Sequence, residues 1–279
     1  MEVNTNGTRL PTPKETLRTT LRCLREARGL SQEALAKAIG YPQSYIQRVE
    51  AGKQNPSDAL AAKLDEFFGT GKLFRDLQRM HRSGLMKAFT LDFLEQEPKA
   101  LRVQVFTSGM IPGILQMEKY AREVLRCTLP DLSPEEIEDL VDMRMQRKVA
   151  LEQDDPPRYW AIMDEAALRR PVGTAEEMVR QLSYVIDTVA RKPRLTLQVL
   201  PFSSGVHPMM GGTLLLHTNR EGKTAAVVES FRTGEPMESP EKVAEFVQLF
   251  DVACSKSLPE DESLDLVRQY AKEYKNAAE

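Results

Sequence analysis

Cysteine and histidine are scarce in this chain, with three of each in 279 residues. Cys23, Cys127 and Cys254 lie over 100 residues apart, which excludes a disulfide framework and a metal knuckle alike. Free, partly buried thiols are expected instead. His81, His207 and His217 form no short metal-ligand pattern with them, so neither a metal nor a cofactor is expected. Long apolar runs are missing too. The longest, "GTLLL" and "AAVV", read as strands and fall far short of the ~20 residues of a membrane span. The opening "MEVNTNGTRLPTP" lacks the apolar core of a signal peptide; residues 1–12 read as a flexible arm, and cytoplasmic residence is expected. Nor is there a large surplus of one charge: the net charge of −3 excludes a chain coated in basic surface.

What is present is an ordinary globular composition, 41% hydrophobic and 28% charged, with room for one large or two ordinary domains. The charge is unevenly spread. Residues 1–80 hold 13 Lys and Arg against 9 Asp and Glu, and the remainder holds 25 against 32. A basic head on an acidic body makes the head the anion-facing part.

Residues 13–80 read as five short helices. "KETLRTTLRCLREARGL" sets Leu17, Leu21, Leu24 and Ala27 on one stripe that Gly29 ends. Ser31 caps "QEALAKAI", with Leu35, Ala36 and Ile39 inward. Gly40 closes that helix and Pro42 opens the next, over 43–51, with Ile46 and Val49 inward. "NPSDALAAKLDEFFG", capped by Ser57, and "KLFRDLQRM" complete the unit. Residues 81–100, punctuated by Ser83-Gly84 and Pro98, read as a connecting helix.

Residues 101–279 read as an α+β domain with a small mixed sheet. Ser133, Pro134 and a first turn of acids open a helix that the Asp155-Pro156-Pro157 stretch breaks. "RYWAIMD", "RLTLQVLPF", "GGTLLLHT" and "TAAVVES" are strand-like. A helical crossover separates the first two, and a turn at Gly222 joins the last two. Two helices near 239–257 and 260–277 finish the chain.

The tight turn at Gly40-Tyr41-Pro42 joins two short helices, the arrangement in which a second helix enters the major groove of DNA. Its outward residues, Gln43, Ser44, Gln47 and Arg48, carry the donors and acceptors that distinguish A and G. A polar face on a short helix is more often merely solvated; the combination with the turn is what points to DNA. Over "LRCLREARGLSQEALAKAIGYPQSYIQRVEAGKQNPS" the chain resembles the helix-turn-helix of the phage Cro/repressor-like (XRE) regulators. That resemblance implies base-reading roles for Gln43 and Ser44 and groove-facing ones for Tyr45, Gln47 and Arg48. It implies phosphate contacts for Lys53 and Asn55, a phosphate-touching and bracing role for Gln32, and a structural ion pair between Arg25 and Glu50. It implies a dimer on two half-sites of double-stranded DNA. Pro42 departs from the family, which usually has a Ser or Thr cap there.

"IPGILQMEKYAREVL", "RMQRKVAL", "DEAALRRPVG", "QLSYVI", "LQVLPFSSGVHPMMGGTLLL" and "VVES", over roughly residues 85–275, resemble the C-terminal domain of actinobacterial XRE-type regulators called antitoxin-like. That resemblance implies a small cognate partner protein. Trp160, Phe202, His207 and Met210 near strand ends are a candidate effector pocket, the plainer alternative being core. Asp164-Glu165 with His207 have the residue types for acid–base chemistry. Paired acids after a strand are more often caps or ion-pair partners, however, and no enzyme is expected. The expectation is a dimeric DNA-binding transcription regulator whose second domain dimerises and receives a signal. The alternative is an antitoxin-like protein that mainly binds a partner and autoregulates.

Overall fold

The computed structural model describes residues 11–85, 88–230, 233–237 and 239–278, and the chain divides into two compact units between residues 87 and 88. Nearly all of the expected flexible arm, residues 1–10, lies outside the described residues.

The first unit is helical: α1 (Pro13–Ala27), α2 (Gln32–Ile39), α3 (Gln43–Glu50), α4 (Asp58–Phe68) and α5 (Leu73–Leu85). A capping box between Thr12 and Glu15 starts α1, with Pro13 in its first turn. The inward stripe of α1 runs Leu17, Leu21, Arg25, not on to Ala27, which is exposed. Steps of four residues keep a helical face, and Ala27 lies about 200° round from Arg25. Ser31 and Ser57 cap α2 and α4 as expected. Leu21, Leu35, Ile46, Leu60, Leu64 and Phe74 are wholly buried in one core. Burial of each contributes about 1.5–3 kcal/mol.

The start of α5 is held from outside the helix. Asp65 Oδ1 accepts from the Phe74 amide at 3.0 Å and Oδ2 from the Arg75 amide at 3.3 Å. α5 also runs through Ser83-Gly84, where a break was expected. Ser83 Oγ donates back to the Arg79 carbonyl at 2.9 Å, and one glycine in a helix costs only about 1 kcal/mol. The connecting helix therefore starts later than expected, as α6 (Ala88–Gln96) in the second unit.

After α6 come β1 (Arg102–Thr107), α7 (Glu118–Thr128), α8 (Pro134–Gln146), β2 (Arg158–Asp164), α9 (Ala166–Arg169), α10 (Ala175–Arg191) and β3 (Leu195–Leu200). Then follow β4 (Thr213–Thr218), β5 (Thr224–Ser230), β6 (Thr233–Met237), α11 (Pro240–Lys256) and α12 (Glu260–Ala278). The strands make one six-stranded mixed sheet in the order β3-β2-β1-β4-β5-β6. β1, β2 and β3 are parallel; β4, β5 and β6 are antiparallel. The expected crossover is α9 with α10, and the expected hairpin joins β4 to β5 through Gly222 at φ 84°. β1 was not expected, although it is a central strand. Its alternation of Arg102 and Gln104 with Val103 and Val105 lasts only four residues before Phe106 breaks it. β6 was not expected either; its Pro236 confines it to the sheet edge.

Alternation divides the sheet into two apolar faces. Val103, Val105, Tyr159, Ala161, Leu197 and Leu215 face α7, α10 and α12. Phe106, Ile162, Leu200, Leu214 and Leu216 face α11. Cys254 is half-buried against this second cluster, whereas Cys23 and Cys127 are exposed and correct the expectation of buried thiols. Among the described residues no helix is long and apolar enough to cross a membrane.

Candidate functional site

The interface expected from the sequence is built on the α2–α3 turn. Gly40 ends α2 in the left-handed conformation, φ 75°, and the Tyr41 amide donates to the Ala36 carbonyl at 2.9 Å. Pro42 takes the N-cap position of α3 with no side-chain cap. Ile46 and Val49 anchor α3 in the core, at 0% and 1% exposure. Given that anchoring, Gln43, Ser44, Gln47 and Arg48 are exposed.

The far end of α3 is fastened by a buried ionic lock. Arg25 Nε donates to Glu50 Oε1 at 2.6 Å and Nη2 to Oε2 at 3.0 Å, a two-pronged pair. Gln32 Nε2 donates to Glu50 Oε2 at 2.8 Å, and Arg25 Nη1 to the Leu30 carbonyl at 2.8 Å. Burial works against the Glu50 carboxylate, but the hydrogen bonds from Arg25 and Gln32 outweigh it and hold its pKa below the usual range. A carboxylate that would repel phosphate is thereby neutralised behind the helix. The sequence pairing of Arg25 with Glu50 is the geometry seen, and Gln32 has the bracing contact.

Two of the expected DNA-facing residues are otherwise engaged. Tyr45 is half-buried; its hydroxyl accepts from the Ser57 amide at 2.7 Å and donates to the Asn55 carbonyl at 3.5 Å. Asn55 is 6% exposed, inside the loop it was expected to present. Both therefore shape the loop after α3, because its proline-bound path from 53 to 57 needs polar partners for its backbone. Lys53 stays exposed beside them. Sequence reasoning missed two contributors. Gln54 Oε1 accepts from Arg48 Nε at 2.8 Å, and Arg22 Nη2 donates to the Glu50 carbonyl at 3.2 Å. No linear signal marks either, since both depend on how the loop and α1 meet the end of α3.

In the second unit the four residues of the candidate effector pocket do not share one environment. Phe202 and Met210 are exposed, at 55% and 65%. Trp160 is packed edge-on to Phe250 at 6.1 Å and donates to Gln198 Oε1 at 2.8 Å. His207 is buried. The plainer alternative, that Trp160, Phe202 and the methionines are core, fits the packed Trp160 but not Phe202 or Met210. The acid–base trio is closer-knit. His207 Nε2 lies 3.0 Å from Asp164 Oδ2, while Asp164 Oδ1 accepts from the Ala166 amide two residues on at 2.8 Å. Glu165 accepts from the Phe202 amide and the Tyr270 hydroxyl, both at 2.7 Å.

Comparison with known families gives two matches. A family described as Domain of unknown function (DUF5753) matches residues 90–269, and one described as Helix-turn-helix matches residues 21–73. No curated protein and no solved structure matches the chain.

Proposed function

The chain belongs to the DUF5753 family and carries an XRE-type helix-turn-helix of DNA-binding regulators ahead of that domain, and from this premise we propose that it is a sequence-specific transcription regulator acting in the cytoplasm as a dimer. The observation that carries the reading is the coupling of a fastened helix to a free face. The Arg25–Glu50–Gln32 lock and the buried Ile46 and Val49 fix α3, and Gln43, Ser44, Gln47 and Arg48 are left outward. Lys53 and the N-terminal end of α2 flank that face as backbone contacts. One eight-residue helix covers a half-site only, and two half-sites about 34 Å apart call for a dimer.

Genome-wide DNA immunoprecipitation supplies the operator. On that operator Gln43→Ala and Arg48→Ala each weaken binding by about 1–3 kcal/mol and relax specificity, with an unchanged urea midpoint. Wild-type binding by both variants would show that α3 does not read the groove. Sedimentation of the free protein tests the dimer.

We read the second unit as the receiving part, and as non-catalytic. In the acid–base trio, Asp164 holds the Ala166 amide and Glu165 serves a backbone amide and a tyrosine, so both acids have structural employment. A second reading, the antitoxin-like one, has its own support. Phe202, Val206 and Met210 are exposed at 55%, 82% and 65% in the one loop between β3 and β4, an apolar surface suited to a small protein. Co-expression with neighbouring gene products, followed by native purification of wild type and of Val206→Asp, tests it: a second chain retained only by wild type favours the partner.

A further inference from the structure

Arg144 in the last turn of α8 and Arg147 just beyond its end are three residues apart, and they are treated differently by their surroundings. Arg147 is neutralised: its Nε and Nη2 both donate to Glu97 at 2.8 Å, and Glu97 is 1% exposed. Arg144 has no carboxylate within ion-pair distance among the described residues. Among the described residues its one hydrogen bond is from Nη1 to the neutral Gln116 Oε1, at 2.9 Å. The Arg144 residue is half-buried. Burial, and then the charge of Arg147, lower its pKa to about 10, while Glu229 on β5 and Tyr120 pull through space the other way. A cation held in such a recess without a counter-ion is costly, and the cost is relieved by an anion.

The surroundings fit one. The loop 108–117, between β1 and α7, lies at the carboxyl end of β1. There the chain order turns, with β2 on one side and β4 on the other. Two glycines of this loop let backbone come close to guanidinium groups. A Cβ at Gly113 would sit 3.0 Å from Arg147 Nη1, and one at Gly109 would sit 3.2 Å from Arg170 Nη1. Arg170 is exposed, and it and Arg144 both act on the Tyr120 hydroxyl. Thr107, the last residue of β1, has a hydroxyl that is buried and unpartnered. Gln116 and Gln181 brace the loop: Gln116 Nε2 donates to the Ile111 carbonyl at 2.6 Å and Gln181 Nε2 to the Leu115 carbonyl at 2.8 Å.

We infer that the second unit binds a small molecule through an oxyanion, carboxylate or phosphate, seated between Arg144 and Arg170 behind the β1–α7 loop. This deepens the signal-receiving reading and rests on it for its biological use, though the binding itself does not need DNA. The test is thermal unfolding of the full chain with inorganic phosphate or succinate, each against sodium chloride of equal ionic strength. The two arms separate a phosphate from a carboxylate ligand. General salt stabilisation by excluded anions is common to wild type and variants; the specific part is saturable and follows mass action. Wild type gains a saturable rise of a few degrees with one of the two anions, and Arg144→Gln and Arg170→Gln lose it. Arg170 is on the surface, so its variant decides the matter if Arg144→Gln fails to fold. No saturable rise in wild type, or a full rise in folded Arg170→Gln, overturns the site. Operator titration with and without the same anion is read separately: binding with no change in DNA affinity leaves the site standing and removes its regulatory use.

Discussion

The two units handle buried polarity in opposite ways. In the helical unit each buried charge is closed off: Arg25 and Glu50 hold each other, and Asp65 caps α5 while pairing with Arg75 at 3.1 Å. In the sheet unit buried polar atoms go without partners, among them Thr107 Oγ1, His207 Nδ1 and His217 Nε2. A buried polar atom left unpaired costs stability, and structures keep few of them. The contrast locates the chemistry. The first unit has settled its interior and turns its donors outward, as a surface that reads another molecule must. The second keeps unsettled polarity inside, where a change of protonation shifts the balance.

The comparison is tested most strongly at the one feature that the units share, a buried arginine with a buried acid. Glu50→Ala strands Arg25 and Glu97→Ala strands Arg147. Each is expected to cost about 3–5 kcal/mol, read as a loss of denaturation free energy confined to its own unit. Equal losses place the two locks on the same footing. A silent Glu97→Ala would mean that the second unit tolerates an unpaired guanidinium, and the argument built on Arg144 would weaken with it.

His217 gives the next largest effect, and it belongs to the second unit alone. Its ring stacks on Phe93 at 3.7 Å, and burial lowers its pKa from 6.5 to about 4, Glu97 opposing and Arg147 assisting. The unfolded chain therefore takes up this proton first as pH falls. The stabilisation is complete above pH 6.5 and is lost between there and pH 4, to a total of about 3 kcal/mol. Urea unfolding at pH 7 and pH 4.5, compared with His217→Gln, isolates the contribution: the variant lacks this part of the slope. An equal slope in both proteins would remove His217 as its source.

A smaller effect tests the outward face of the first unit. Gln54 holds Arg48 through one exposed hydrogen bond, so Gln54→Ala leaves folding unchanged and weakens operator binding by about 0.5–1.5 kcal/mol, less than Arg48→Ala. A loss as large as that of Arg48→Ala would make Gln54 a reader in its own right.

The difference between the units also governs what the sequence could tell. Helix punctuation is local, and so Ser31, Gly40, Pro42 and Ser57 mark the first unit directly. The Arg25–Glu50 pair was accessible only through resemblance, because its partners are 25 residues apart. The α+β class and mixed sheet of the second unit were also legible, from strand-like runs and one crossover. Its central strand was not. β1 is buried on both faces, yet Gln104 breaks its apolar run and Phe106 cuts its alternation short, so neither signal announces it. The approach of Arg144 and Arg147 to Gly113, and of Arg170 to Gly109, has no linear trace, since the residues come from separate segments. Asn55 misled for the opposite reason: an asparagine in a polar loop reads as surface, but this loop folds it inward.

Pro42 is where the first unit departs from its own tidiness, and it gives the smallest effect. Its φ of −62° suits the turn, but it offers no side-chain oxygen to the first amides of α3. The Tyr45 amide already finds the Pro42 carbonyl at 3.0 Å, so the remaining shortfall is small. Pro42→Ser would add a cap worth about 0.5–2 kcal/mol. It would also return about 0.4–1 kcal/mol of chain entropy to the unfolded state. The expected net gain is about 0.5 kcal/mol in urea unfolding. A loss instead would show that the rigid ring, not the missing cap, sets the angle at which α3 leaves the turn, and with it the direction in which Gln43 and Ser44 face.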